Sequence, residues 1–372
     1  MKYPIIAMTL LALSAASCGG RGAASDSSAQ TDTVSPARQL SLRLDSVSRA
    51  GLVMFGHDDD PVYGHTWVGD SGRSDVLETA GDYPAVMNWD LGGIEKGDAS
   101  NLDSVNFERM RAEVIAQDAR GGVNAFSWHA VNPVDGQDSW QCADTTIVAQ
   151  IIDNPEVAER FRNQIRLAAR FIAGLTDASG KKIGVILRPW HEHTGAWFWW
   201  GSKQCTPDQY RHLWTETRRI MDEEGADNIL WAYSPDRVKD IDEYLERYPG
   251  DEYVDIMGAD VYHYGAEKGV DSYLAAVDAT LGAATQAASE KGKLVAFTET
   301  GLEGIPMADW WTEVLLPAVS KYPAAYVVVW RNAHDKPGHF YAPWPGQESE
   351  ASFKKFHDDP RTVFAREMNT IR

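Results

Sequence analysis

The sequence predicts an α/β fold, a single (β/α)8 barrel. Three observations carry that expectation. Eight short β-rich runs recur along the chain, stretches of helical character lie between them, and polar residues collect at the C-terminal ends of the runs while their starts are aliphatic. With 372 residues, 44% of them hydrophobic and 24% charged, the composition suits one large globular domain.

Taken in order, residues 1–17 carry Lys2, an apolar segment over 5–16 and small residues before Cys18. That segment is too short to span a bilayer and reads as an export signal. Ala15, Ala16, Ser17 and Cys18 resemble a bacterial lipoprotein signal, in which Cys18 becomes the lipid-bearing N-terminus; plain secretion is the alternative. Residues 18–37, almost devoid of apolar side chains, form the expected tether. The barrel domain is expected over 38–372. Export permits disulfides, and with Cys18 lipidated the remaining pair, Cys142 and Cys205, is expected to form one.

The barrel opens with a predicted helix at 39–50. Strands follow at 53–57, 84–90, 123–130, 183–192, 228–235, 254–263, 293–301 and 325–332, each a β-rich run. The clearest helices between them are 107–119, 154–176, 206–224, 271–289 and 308–320. Two of these open on a cap followed by proline, Asn154-Pro155 and Thr206-Pro207. A barrel places its chemistry at the C-terminal strand ends. Those ends read His57, Asp90, His129, Glu192, Pro235 with Asp236, Asp260 to His263, Glu299, and Trp330 with Arg331.

The most informative stretch is residues 188–201, RPWHEHTGAWFWWG. It sets Arg188, His191 and Glu192 beside Trp197, Phe198, Trp199 and Trp200. A pyranose has apolar C–H faces and a hydroxyl equator, so indoles can cover the faces while Arg, His and carboxyl groups bond the edge. Four consecutive aromatics are not expected to point inward together, and fourteen tryptophans in the chain agree with stacking on sugars. The net charge of −19 argues against nucleic acid and anionic lipid as partners and is indifferent to a neutral glycan.

Glu192 ends the fourth strand and Glu299 the seventh, so two carboxyl groups can face each other across the mouth. Glycoside hydrolysis uses such a pair, and a separation of about 5–5.5 Å corresponds to retention through a covalent intermediate. The charge of Glu299 raises the pKa of Glu192, leaving Glu192 a proton for the leaving oxygen. No cofactor and no metal are expected. His57, Asp58, Asp59 and Asp60 superficially suggest a hard-cation loop, but the ligand pattern is missing and a solvated, substrate-facing loop is expected. Glu303 reads as a surface residue. Gly64, His65 and Trp67 read equally as cleft wall or as loop packing, and the aromatic segment 337–347 as distal sugar contacts or burial.

The motifs RPWHEHTGAWFWWG and FTETG resemble glycoside hydrolase family 26, best known for β-mannanases. The resemblance runs from about Leu40 to the C-terminus and includes FGHDDDPVYGHTW at 55–67, SWHAVNP at 127–133, GADVYHYG at 258–265 and VVWRN at 328–332. It implies Glu192 as acid/base and Glu299 as nucleophile, with His129 and His191 bonding the sugar where cleavage occurs. It further implies that Tyr262, supported by Asp260, orients the nucleophile, that Trp330 forms the sugar's floor, that Arg331 reaches the next subsite, and that Trp197 lines the opposite side. His193 departs from the family pattern. The expected activity is a retaining endo-β-1,4-mannanase on β-mannan polysaccharide or its oligosaccharides, with a membrane met only through the N-terminal lipid. A β-glucanase or xylanase, or a non-catalytic glycan-binding lipoprotein, are the alternatives.

Overall fold

The computed structural model describes residues 34–370. Its barrel strands are β1 (Val53–Asp58), β2 (Val86–Asp90), β3 (Val123–Ser127), β4 (Val185–Arg188), β5 (Ile229–Tyr233), β6 (Ile256–His263), β7 (Leu294–Leu302) and β8 (Ala324–Val329). They pair in parallel in chain order, and β8 pairs back onto β1 with Met54 opposite Tyr326 and His57 opposite Val329. All eight expected strands are present and the barrel is closed. A strand covered by helices outside and side chains inside has no solvent face, and every residue of β1 to β6 and of β8 is buried. The expected strand at 183–192 stops at Arg188 because Pro189 offers no N–H to the ladder.

The five longest helices pack between or below the strands: α1 (Pro36–Arg49), α2 (Phe107–Ala119), α3 (Pro155–Ala173), α4 (Pro207–Glu223) and α5 (Val270–Lys291). Asn154 caps α3, and Thr206 with Gln209 forms a reciprocal capping box on α4. The expected helix at 308–320 winds instead as a π turn, Trp311–Leu315, running into a short α-helix, Leu316–Val319. Pro317 has no N–H for the regular ladder there.

Helix α1 starts earlier than expected. Ser35 Oγ accepts from Arg38 N at 3.2 Å and proline sits in the first turn, so residues 36 and 37 are helix and not tether. The export signal, Cys18 and the tether up to residue 33 lie outside the described residues. Leu40, Leu44 and Val47 of α1 pack against Met54, Val86, Ile186 and Val328, which fill the barrel interior. Ser48 Oγ donates to Pro323 O at 2.7 Å and Arg43 to Gly122 O at 2.8 Å, so α1 seats on the strand starts. The base is plugged, and the opposite end is left for chemistry.

A β-bulge shapes that end. Between Gly258 opposite Ala296 and Asp260 opposite Glu299, β7 uses three residues where β6 uses two. The extra residue lets Thr298 and Glu299 both reach the layer of Asp260. Gly258 leaves the necessary room, since a Cβ there would lie 2.7 Å from Thr298 Oγ1 and 2.8 Å from Ser234 Cβ.

Two expectations about side chains are corrected. Cys142 and Cys205 form no disulfide. Cys205 is buried, donating from Sγ to Trp200 O at 3.3 Å and accepting from Arg247 Nη1 at 3.4 Å, while Cys142 is half-buried in the loop after β3. Nine of the tryptophans, Trp89, Trp128 and Trp190 among them, are fully buried, so the high count chiefly reports core packing.

Candidate active site

Arg188 anchors the polar end. Buried at the end of β4, it pairs with Asp260 at 2.6 Å and, in a very short contact, with Glu299. Asp260 also accepts from Ser234 Oγ at 2.9 Å and Thr298 Oγ1 at 2.6 Å. Burial and then the charge of Glu299 push the Asp260 pKa up to about 7, with Arg188 pulling against burial. Glu299 keeps its second oxygen for Tyr262, whose Oη donates to Oε1 at 2.5 Å. Both oxygens of Glu299 are therefore oriented. Asp260 corrects the expectation made of it: it supports Arg188, not Tyr262, and is fully buried beneath the cavity.

Glu192 stands on a strained turn. Trp190 and Glu192 have φ of 51° and 53°, left-handed values that cost a non-glycine residue about 1–3 kcal/mol each. Side chains from the surrounding shell hold the turn: Tyr210 Oη donates to Trp190 O at 2.9 Å, Trp200 Nε1 to His191 O at 2.9 Å, and Trp190 Nε1 to Thr217 Oγ1 at 3.1 Å. Phe198, Trp199 and Trp200 are all buried, and only Trp197 of the aromatic run is exposed. As expected, the four do not all turn inward, but Trp197 alone faces out and the rest of the run is scaffold. Trp197 Nε1 donates to Glu192 Oε2 at 2.7 Å. Burial raises the Glu192 pKa well above the usual carboxyl range; the charges of Glu299, Asp260 and Asp236 add to it, and the Trp197 hydrogen bond opposes it.

Glu192 and Glu299 line one cavity of about 470 Å³, together with His129, His191, Trp197, Tyr262 and Trp330. The sequence-predicted cleft residues therefore converge, Asp260 and Arg331 excepted. His129 Nδ1 lies 2.6 Å from Asp90 Oδ2; burial works against its cation, but the charge and hydrogen bond of Asp90 prevail and raise its pKa. His191, edge-on to His129 at 4.7 Å, is held well below its ordinary pKa by burial and then by Arg188. Arg331 pairs with Asp103 at 3.1 Å and lines a smaller cavity of about 180 Å³ that shares His129, Trp140 and Trp330 with the main one.

Other expectations fare differently. His193 is buried between the rings of Tyr210 and Tyr233, at 4.5 and 4.7 Å, away from the cleft. The 57–60 loop is buried, not solvated: His57 Nδ1 meets Asp60 at 2.7 Å, Tyr63 donates to Asp59 at 2.8 Å, and Asn88 donates to Asp58 at 2.6 Å. Asp58 borders the smaller cavity. Trp67 Nε1 and the His65 N–H donate to Asp75 at 2.8 and 2.6 Å, which is loop packing. From segment 337–347, Tyr341 lines the main cavity and His339 the smaller. Glu303 is exposed. Trp140, Tyr264 and Arg237 also line the main cavity and were missed. A lone tryptophan in the polar stretch 135–146 was the available signal for Trp140, which stacks on His129 at 5.0 Å.

A family model for glycosyl hydrolase family 26 matches residues 30–302. The chain belongs to that family. A solved structure of a family 26 β-mannanase from Bacteroides ovatus superposes with a TM-score of 0.86 at 44% identity, covering 89% of this chain and 95% of that one. A mannan endo-1,4-beta-mannosidase of Bifidobacterium adolescentis is 30% identical over 321 residues, 80% of this chain and 32% of that protein. Another from Bacillus subtilis is 30% identical over 194 residues, 50% of this chain and 53% of that one. The matches thus span less than two thirds of the length of either of these two relatives.

Proposed function

We propose that this family 26 chain is a retaining endo-β-1,4-mannanase, with Glu299 as nucleophile and Glu192 as acid/base. The observation that carries the proposal is the contrast between the two carboxyls sharing one cavity. Glu299 is ion-paired and hydrogen-bonded on both oxygens, whereas burial and neighbouring anions hold Glu192 toward its neutral form. Glu299 attacks the anomeric carbon, forming a glycosyl ester as the glycosidic C–O bond breaks, and Glu192 gives its proton to the departing oxygen. Esterification removes the Glu299 charge, which lowers the Glu192 pKa. Glu192 then takes a proton from water as the water oxygen displaces Glu299, and the starting proton inventory is restored.

His129 and His191 supply hydrogen-bonding nitrogens to the sugar at the cleavage position, Trp330 its apolar floor, Trp197 the opposite wall, and Arg331 the next position along. The choice of mannan draws on the names of the relatives, mannan endo-1,4-beta-mannosidases and a β-mannanase. The N-terminal pattern supports export and lipidation at Cys18, so the enzyme meets polymer as a membrane-anchored protein. Cys18→Ser is expected to move it from the membrane to the soluble fraction; unchanged fractionation would remove the anchor.

The deciding experiment is reducing-end release from mannan, galactomannan, mixed-linkage glucan and xylan, with Glu299→Gln alongside. Cleavage of the two mannans that disappears in the variant is expected. Cleavage of glucan or xylan alone would discard the substrate assignment, and inactivity on all four would leave a glycan-binding protein.

A further inference from the structure

We infer that Trp197, folded back over Gly195, is a positioning residue that confines the acidic proton of Glu192 to Oε1, an inference that rests on Glu192 being the acid/base. The indole N–H is a donor and never an acceptor. Its 2.7 Å bond to Glu192 Oε2 therefore makes Oε2 an acceptor in both protonation states. In a neutral carboxyl the carbonyl oxygen is the better acceptor, so the hydroxyl is Oε1. Of the two oxygens, the one that gives and takes the proton in turnover is the one the indole leaves free.

The surroundings leave the carboxyl little other freedom. Its backbone is fixed at φ 53°, with the Glu192 N–H donating to Ser234 O at 2.8 Å and the Gly195 N–H donating to Glu192 O at 2.9 Å. Ser202 holds Gly195 in place through two hydrogen bonds to its carbonyl, 2.7 Å from N and 3.0 Å from Oγ. The six-membered ring of Trp197 then lies on Gly195 so closely that a Cβ there would sit 2.3 Å from Cη2 and 2.4 Å from Cζ2. Any side chain at 195 pushes the indole off Glu192. Trp197 is 40% exposed, which gives it room to move when displaced.

The same bond tunes acidity. Facing Glu192 are Glu299 from β7, Asp260 and Tyr262 from β6, Tyr264 just beyond, Asp236 after β5 and Arg188 from β4. Burial and the three carboxylates favour the neutral acid; Arg188 and the indole N–H favour the carboxylate. A hydrogen bond to the charged form lowers a pKa, so Trp197 keeps Glu192 acidic enough to release its proton.

Trp197→Phe in the full chain keeps most of the wall and removes the donor. The alkaline limb of kcat/KM on mannan, where the acid loses its proton, is expected to move up by about half to one pH unit, a three- to tenfold change in acidity. Gly195→Ala, with Trp197 intact, is expected to move the limb in the same direction. A raised KM with an unmoved or lowered limb in Trp197→Phe would reduce Trp197 to a wall and overturn the inference; an unmoved limb in Gly195→Ala would remove Gly195 from it. Glu192→Gln, run beside them, separates the two levels of argument: wild-type turnover and pH profile in that variant would overturn the acid/base reading itself, whatever Trp197 does.

Discussion

The two carboxyls of the cavity are chemically alike and are built into opposite surroundings. Glu299 lies on a barrel strand, and each oxygen meets a buried donor, Arg188 or Tyr262. Glu192 lies on a loop, on a turn with left-handed φ, and the hydrogen bond to its carboxylate comes from a half-exposed indole. On the proposed assignment the difference teaches that the division of labour is set by environment: charge is balanced on the carboxylate assigned to attack, and left poorly compensated on the one assigned to keep a proton.

The comparison breaks most sharply at the level of the whole groups. Glu299→Gln is expected to lower kcat on the order of 10⁴-fold or more with every substrate, because no other group forms the ester. Glu192→Ala is expected to lower polymer cleavage by about a hundred- to ten-thousandfold, yet to spare the first step on aryl glycosides whose leaving groups need no proton. Equal losses in Glu192→Ala on both substrate types, read by burst kinetics, would erase the distinction. One step down, Tyr262→Phe takes away one of the donors of Glu299, and a loss of roughly ten- to hundredfold in kcat is expected from a hydrogen bond to a charged group. An unchanged kcat would leave Arg188 as the sole support.

The smallest effect concerns stability. The folded pKa of Glu192 is raised, so its stabilising contribution is complete below the ordinary glutamic acid value and is lost as pH rises through the folded value. Glu192→Gln is therefore expected to flatten the fall of Tm as pH rises above the ordinary glutamic acid range. Asp58 and Asp260, both pushed up to about 7, titrate with the same sign and should preserve part of the slope. An identical slope in Glu192→Gln would remove Glu192 from the pH dependence of stability.

Much of this was legible in the sequence, for a reason that is physical. A charged residue directly after an aliphatic run, as Arg188 follows Val185 to Leu187, lies at the polar end of a barrel strand, and eight such ends define one face. What stayed hidden depends on pairing and satisfaction across the fold. The bulge in β7 exists only relative to β6, so nothing in Thr298-Glu299-Thr300 announces it. The acids at 58–60 read as solvated because Asn88 and the Tyr63 hydroxyl, which satisfy two of them, are brought in by tertiary structure. Likewise the sequence does not say which of the four aromatics at 197–200 faces out; Trp199 and Trp200 are tied inward by bonds to Ala130 O and His191 O that only tertiary structure supplies.

The distribution of indoles has an optical consequence. Nine tryptophans sit fully buried and shielded from quenchers in water, while Trp140 and Trp197 face the cleft and are open to solvent. A collisional quencher in water reaches chiefly that minority, and a sugar occupying the cleft screens the same indoles. The protein thus carries a built-in fluorescent reporter whose accessible fraction falls as the cavity fills.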